Sequence, residues 1–182
     1  MAKTGKTRFA ILGILLSGPK SGYEIAKFCR EILNSFWSES YGQIYPTLKT
    51  LVSEGLVTKK DVPNSNRKKA IYSVTTKGRK AVAAWAAEPA APQSIRNELL
   101  LKLFFGSELP LEISQQQLRQ ALVTQQFSLE HLKAIEHEIE SSEDLNERQK
   151  MHATMTVRLG IHVTKARIAW AKESLASLDE SH

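Results

Sequence analysis

Two long stretches in the second half of the chain repeat their apolar residues at alternating spacings of four and three. The first runs roughly from residue 113 to residue 140, and the second follows Ser141 and Ser142. This alternation is typical of long helices that pack along coiled-coil-like seams. We therefore predict two long helices whose seam positions are Leu118, Leu122, Leu129, Leu132, Val157, Ile161, Ile168 and Leu175.

The later of these helices carries a second apolar face, formed by Met151, Met155 and Leu159. The two helices together present more apolar surface than one helix pair can hide. We therefore predict that the seam residues contact a helix of another subunit, which would make the chain a homodimer. The alternative is a self-contained helical hairpin within one chain.

The first half of the chain shows shorter periodic segments. The apolar run from Phe9 to Leu16 predicts a short buried helix that Gly18 and Pro19 end. Ser21 is a suitable cap for a second helix. The amphipathic stripe of that second helix is predicted to be Ile25, Phe28, Cys29, Ile32, Leu33 and Phe36.

A third helix is predicted from the spacing of Ile44, Leu48, Leu51 and Val52, and Gly55 occupies the position of a left-handed C-terminal cap. Proline lacks an N–H and clashes in a helix interior. Pro46 therefore predicts that the regular helix begins only a few residues earlier, near Gly42 or Gln43.

Two predicted strands follow, Leu56–Thr58 and Ala70–Val74, with a polar turn between them, and Thr75 is a good cap for a fourth helix. Three helices followed by a hairpin is the order of a winged helix-turn-helix. The predicted fold is mainly α, with an N-terminal winged helix-turn-helix domain (1–88), a linker containing two prolines (89–93) and a C-terminal α-helical dimerisation domain (94–182).

The charge is segregated along the chain. Residues 1–80 contain 15 Lys and Arg against 5 Asp and Glu, whereas residues 81–182 contain 10 against 14. A basic half joined to a weakly acidic half indicates a polyanionic partner for the first half. The other interpretation is a basic solvated surface that binds nothing.

The outward face of the third helix offers the side chains that reading DNA requires. An α-helix fits the major groove, where base edges are distinguishable. Gln43 can pair with adenine, and Thr47 can bond a base or contact a thymine methyl. Tyr45 and Lys49 are more natural phosphate partners. The tip of the predicted hairpin carries three basic residues, Arg67, Lys68 and Lys69. Double-stranded DNA is therefore the predicted partner.

The chain resembles the PadR family of bacterial transcriptional regulators. The resemblance covers about the first half of the chain. It is carried by the segments 10–15, Ser21-Gly22-Tyr23-Glu24-Ile25, 36–38, Gln43-Ile44-Tyr45-Pro46-Thr47-Leu48, 54–57 and 72–78. The early proline in the Ile-Tyr-Pro element makes this motif quite specific. The second half is similar to the longer family members related to the phenolic acid decarboxylase repressor.

The resemblance implies a homodimer held by its C-terminal helices, acting as a repressor on a near-palindromic operator. Some family members release DNA when a small aromatic ligand binds. The predicted DNA-contacting residues are Ser21, Tyr23, Gln43, Tyr45, Pro46, Thr47, Lys49, Thr50, Arg67, Lys68 and Lys69. The candidate effector pocket consists of Trp37, His162 and Trp170, which could instead pack the junction between the two domains.

Other classes of protein are disfavoured. Cys29 is the single cysteine, which excludes an intrachain disulfide and fits a reducing cytoplasm. No apolar run is long enough to cross a membrane. The histidines show no metal-ligand spacing and no nucleophile motif occurs, so neither an enzyme nor a cofactor is predicted. An adaptor that uses the winged fold to bind another protein is the main alternative function.

Overall fold

The computed structural model describes residues 4–33, 36–37, 41–62, 70–92 and 96–180. The chain forms two compact units, Met1–Pro92 and Gln93–His182, and the division falls inside the range predicted as a linker. No helix in the part of the chain that the structure describes is long and apolar enough to span a membrane.

The described part of the first unit contains four α-helices and a small antiparallel sheet. Its elements in chain order are α1 (Thr4–Leu16), β1 (Lys20–Ser21), α2 (Gly22–Glu31), α3 (Tyr41–Ser53), β2 (Val57–Asp61), β3 (Ala70–Val74) and α4 (Thr76–Ala87). The strand order is β1-β3-β2, with Val57 opposite Val74 and Lys20 opposite Tyr72. The sequence predicted β2 and β3 but not β1, which has only two residues.

The core of this unit lies where α1, α2, α3 and β2 meet. Its most deeply buried side chains are those of Ile11, Leu12, Leu15, Ile25, Ile44, Leu48, Leu51 and Val57. Cys29 is buried in the same cluster, as its place on the apolar stripe predicted. The ring of Phe9 stacks on Trp85 at 4.8 Å between centroids, which joins α4 to α1.

Local sequence signals set several helix ends. The Ser21 hydroxyl accepts a hydrogen bond from the N–H of Glu24 at 3.2 Å, and the Glu24 carboxylate accepts one from the N–H of Ser21 at 2.7 Å. These two bonds form a capping box at the start of α2. Gly55 has a φ of 71°, as a left-handed cap after α3 requires. The predictions of a cap at Ser21 and at Gly55 are confirmed.

The end of α2 differs from the prediction. The helix ends at Glu31, and Ile32 and Phe36 are exposed. Three positions of the predicted stripe therefore lie beyond the helix, and of these only Leu33 still packs against the core. Periodicity continued past the end of the helix, so the apolar spacing did not mark where the backbone leaves the helical conformation.

The second unit consists of α5 (Glu98–Phe104), a short 3-10 turn (Gly106–Glu108), α6 (Leu111–Ser141) and α7 (Glu147–Glu180). Helices α6 and α7 are antiparallel, because the start of α6 contacts the end of α7. The side-chain amide of Gln115 donates to the Asp179 carboxylate at 2.8 Å, and the Arg158 guanidinium donates to the Glu136 carboxylate at 2.6 Å. Gly160 brings the backbone of α7 close to Leu132, since a Cβ there would lie 3.3 Å from its methyl group. The two predicted long helices are thus present.

The seam between α6 and α7 corrects part of the predicted dimer interface. Leu118 and Ile161 are only 1% and 6% exposed within the single chain, so they have no apolar surface left for a second subunit. They belong to the packing of α6 on α7. The large apolar side chains of α7 that are exposed are instead Met151, Met155, Leu159 and Val163, which follow one another at intervals of four residues and which we call the α7 apolar stripe.

Candidate nucleic-acid interface

Helix α3 presents one polar face because its other face is buried in the core. Ile44, Leu48 and Leu51 point inward and are almost completely buried. The spacing of these residues leaves the remaining positions outward, as the sequence predicted. Exposed on the outer side are Gln43, Tyr45, Pro46, Lys49 and Thr50, and Thr47 is half-buried.

Pro46 lies inside α3, in its second turn. The helix begins at Tyr41, one or two residues before the predicted start. The hydroxyl of Thr50 donates to the carbonyl oxygen of Pro46 at 3.2 Å, which gives that carbonyl an additional partner. An exposed proline therefore fits near the start of this helix without disturbing the buried positions.

The first turn of α2 lies beside Tyr45. A Cβ on Gly22 would be only 2.7 Å from Cε1 of the Tyr45 ring and 3.4 Å from its hydroxyl oxygen. Tyr23 is exposed next to this contact. The sequence placed Tyr23 and Tyr45 in one DNA-contacting set, but did not identify Gly22 as the point where the two helices meet.

Ser21 has a different role from the predicted one. Its side chain is buried, and its hydroxyl also lies 2.6 Å from the Glu24 carboxylate. A side chain held in this way caps α2 and is not available to a phosphate. The prediction that the Ser21 side chain contacts DNA is corrected accordingly.

A shallow groove of about 160 Å³ separates the start of α1 from α3. Its lining includes Arg8, Gln43, Pro46, Thr47 and Thr50. Arg8 is not a free cation, because its guanidinium pairs with the carboxylate of Glu54 just after α3. Lys77 from α4 also donates to the carbonyl oxygen of Glu54 at 2.9 Å. These contacts fix the end of α3 against its neighbours.

The hairpin beside α3 is basic in its described part. Lys59 and Lys60 are exposed on β2. The ammonium of Lys59 lies 2.8 Å from the carboxylate of Asp61, and this hydrogen bond raises the pKa of Lys59. The tip residues Arg67, Lys68 and Lys69 lie outside the described residues, so their predicted contact with DNA stays a prediction.

The three residues of the candidate effector pocket do not all line one cavity. Trp170 lines an open groove of about 960 Å³ in the second unit, whose other lining residues include Arg96, Leu99, Gln125, Val163 and Arg167. His162 is exposed and is not among the residues that line this groove. Trp37 belongs to the first unit, where it is half-buried. The sequence did not single out Arg96 or Arg167.

A helical core, an exposed third helix and a β-hairpin after it define the winged helix-turn-helix class, whose recognition helix is presented to the DNA major groove. The family model described as the transcriptional regulator PadR-like family matches residues 11–84. This part of the chain therefore matches the PadR-like family of transcriptional regulators, as the sequence motifs suggested. A second family model, described as the C-terminal part of virulence activator alpha, matches residues 95–179.

Two relatives resemble the chain over nearly its whole length. The negative transcriptional regulator PadR of Bacillus subtilis is 28% identical over 177 residues, which are 95% of this chain and 97% of that protein. Its crystal structure with operator DNA has a TM-score of 0.82 at 26% identity, covering 94% of this chain and 98% of that one. Its crystal structure with p-coumaric acid has the same TM-score and identity and covers 98% of both chains.

The second relative is the Vibrio cholerae virulence activator AphA. Its structure has a TM-score of 0.75 at 29% identity and covers 96% of this chain and 99% of that one. The mainly α fold, with a winged unit followed by a helical unit, is therefore confirmed.

Proposed function

We propose that the protein is a homodimeric repressor that binds a near-palindromic operator through the outer face of α3. The polar face of α3, whose inward side is fixed in the core, is the observation that carries this proposal. Gln43 and Thr47 are the proposed base contacts, and Tyr45 and Lys49 the proposed phosphate contacts. The operator complex of B. subtilis PadR supports operator DNA as the partner.

Flanking residues complete the proposed interface. Tyr23 is exposed and directly follows Gly22, against which the ring of Tyr45 lies, and Pro46 and Thr50 are on the same exposed face of α3 as Gln43. The basic hairpin, with Lys60 on β2 and Arg67, Lys68 and Lys69 at its tip, would neutralise phosphates of the neighbouring groove. Each neutralised phosphate adds roughly 0.9 to the slope of binding against salt.

The second unit supports the homodimer. The α7 apolar stripe is an exposed row of large apolar side chains, and Phe127 of α6 is also exposed. Such a surface is typical of an interaction site. A second copy is the proposed occupant, because a twofold operator requires two copies of α3 in fixed relation. The remaining predicted seam residues are half-buried and would line the same interface at its edge. They are Leu122, Leu129, Leu132, Val157, Ile168 and Leu175.

We also propose that a small aromatic carboxylate releases the protein from DNA. The open groove of the second unit combines apolar walls with Trp170, Gln125 and two guanidinium groups, those of Arg96 and Arg167. An aromatic ring can pack on such walls while a carboxylate pairs with an arginine. The complex of B. subtilis PadR with p-coumaric acid supports this ligand class. Release requires that the ligand bind the DNA-free state more tightly.

The DNA proposal is tested by fluorescence anisotropy with a labelled duplex from upstream of the protein's own gene. A scrambled duplex of equal length is the specificity control. The full-length protein should bind the upstream duplex, and with on the order of 6–10 phosphate contacts it should lose about 10³–10⁵ in affinity between 50 and 200 mM salt. Lys49→Ala should weaken binding, whereas the matched lysine variant Lys165→Ala on α7 should not.

No binding by folded protein at micromolar concentration would overturn the DNA proposal and favour the protein-binding adaptor. Equal affinity for both duplexes would overturn the proposal of a specific operator. The effector proposal is tested in the same assay by adding p-coumaric acid. The ligand should lower anisotropy and quench tryptophan fluorescence, and Arg167→Ala should weaken both responses. Arg148→Ala, an exposed arginine outside the groove, is the control. A response unaffected by Arg167→Ala would contradict the assignment of the groove.

The direction of regulation is tested with a reporter gene under the upstream DNA. Repression predicts higher expression when the protein is absent. Lower expression in its absence would favour an activator, the role named for the relative AphA.

A further inference from the structure

The contact between α2 and α3 depends on a residue that has no side chain. Gly22 is the first residue of α2, and the ring of Tyr45 lies directly against it. A Cβ at this position would be 2.7 Å from Cε1, 3.3 Å from Cζ and 3.4 Å from the hydroxyl oxygen of Tyr45. Real Cβ atoms do not approach a ring carbon as closely as 2.7 Å, so any other residue at 22 would displace the ring.

The conformation of Gly22 does not explain its presence. Gly18 and Gly55 have positive φ values, and Gly22 does not. Glycine is also a poor helix former compared with alanine. The close approach of Tyr45 is therefore the physical reason that the structure offers for a glycine at the start of α2.

The position of the ring determines where the Tyr45 hydroxyl is presented. Tyr45 is 51% exposed, so its ring contacts solvent as well as lying against Gly22. A half-exposed tyrosine without such a support would sample several rotamers. The capping box of Ser21 and Glu24 fixes the first turn of α2, and this makes Gly22 a rigid support.

We propose that Gly22 is a positioning residue for DNA binding, which holds the ring of Tyr45 so that its hydroxyl reaches the duplex in one orientation. The inference rests on the proposed DNA-binding function and adds to it a residue that touches no DNA itself. It also makes the first turn of α2 and the outer face of α3 a single preorganised surface.

The test is a double-mutant cycle in full-length protein with Gly22→Ala, Tyr45→Ala and the double variant, measured with the upstream duplex. Gly22→Ala should fold normally, because the clashing atoms belong to a partly exposed side chain that can rotate away. It should weaken binding about tenfold, as for the loss of one hydrogen bond to a charged group. In the Tyr45→Ala background, the same change should alter affinity less than about twofold.

Gly13→Ala is the matched control, because Gly13 also lies in a helix and a Cβ there meets nothing within 4 Å. This variant should bind DNA as the wild type does. If Gly22→Ala weakens binding equally with and without the Tyr45 side chain, Gly22 acts through something other than Tyr45 and the proposal is wrong. Unchanged binding by Gly22→Ala would contradict it as well.

A measurement without DNA separates this inference from the proposed function. In protein labelled with ¹³C-tyrosine, the ring signal of Tyr45 is identified by its loss in Tyr45→Phe. Gly22→Ala should shift this signal, and Gly13→Ala should leave it in place. A shifted signal in a protein that fails to bind the upstream duplex would contradict the proposed function while leaving the contact intact. An unshifted signal would overturn the positioning role.

Discussion

The two units of this chain bury their apolar residues in different ways. In the first unit, α1, α2, α3 and β2 enclose one cluster of side chains that are almost fully buried. In the described part of the second unit, the fully buried apolar residues are Leu118, Ile161 and Ala171, all on the seam between α6 and α7. Large apolar side chains such as Phe104, Phe127 and Leu159 remain exposed there.

The outer face of α3 is therefore held by the core beneath it, whereas the α7 apolar stripe needs a partner to be buried. The first unit can hold α3 in place by itself, because α1, α2 and β2, which cover the buried side of α3, belong to the same unit. The second unit leaves an apolar row on α7 that water contacts in the single chain. Burial of that row by a second copy would couple the stability of the second unit to protein concentration.

The largest expected effect comes from charging the α7 apolar stripe. The double variant Met155→Glu, Leu159→Glu should convert the proposed dimer to a monomer, because it would bury four carboxylates without partners in the proposed twofold interface. Analytical ultracentrifugation measures the change. The control His152→Glu, Thr156→Glu adds the same charges at the same spacing on exposed polar positions, and it should leave the mass unchanged. A dimer that survives the first double variant would place the interface elsewhere.

A smaller but substantial effect is expected in the core of the first unit. Leu48→Ala should reduce the free energy of unfolding by about 2–5 kcal/mol, because Leu48 is fully buried and the cavity cannot collapse between packed helices. Leu159→Ala removes the same atoms from a side chain that is 65% exposed in the single chain. Urea denaturation at low protein concentration should show little loss for this second variant. Equal losses would contradict the difference between the units.

Gly78→Ala should have the next largest effect. A Cβ at Gly78 would lie 2.3 Å from the carbonyl oxygen of Leu56, which is backbone and cannot rotate away. The expected loss is about 1–3 kcal/mol, typical of overpacking. Gly13→Ala is again the control and should not destabilise the protein. Thermal unfolding monitored by circular dichroism compares the two variants, and equal midpoints would show that α4 can shift without cost.

The sequence predicted those features that local rules determine. Caps at Ser21, Gly55 and Thr75, the inward positions of α3 and the two long helices all follow from residues close together in the chain. It missed β1, whose two residues are held by pairing with β3, at least fifty positions away along the chain. It also assigned Leu118 and Ile161 to the wrong surface, because periodicity shows that a helix has two apolar faces but not which one meets its neighbour in the same chain.

The support of Tyr45 by Gly22 was missed for a similar reason. The motif from Ser21 to Ile25 and the motif from Gln43 to Leu48 were both visible, but nothing in either states that they touch. From the sequence alone, Gly22 is only a residue with low helix propensity. The structure shows that the ring of Tyr45 lies against it. Contacts between distant segments, rather than helix formation itself, are what the sequence left open.

The smallest expected difference concerns two helix caps, one in each unit. Thr75 accepts a bond from the N–H of Gly78 at 3.1 Å, and its hydroxyl also lies 2.9 Å from the carbonyl oxygen of Gly55. For the side chain of Asn97, the one hydrogen bond described is the one that it accepts from the N–H of Leu100 at 3.3 Å. Thr75→Ala should therefore cost about 1–2 kcal/mol, near the upper end for a cap, and Asn97→Ala nearer 0.5 kcal/mol.

Urea denaturation of the two cap variants, each read by hydrogen exchange in its own helix, checks this order. Thr75 joins α4 to the turn after α3, so its loss should also speed exchange at Gly55 and Leu56, whereas loss of Asn97 should affect α5 alone. A larger loss for Asn97→Ala would mean that the second unit relies on its local caps more than the first does. The two units would then differ in how much their helix caps contribute to the free energy of unfolding, as well as in how they bury apolar side chains.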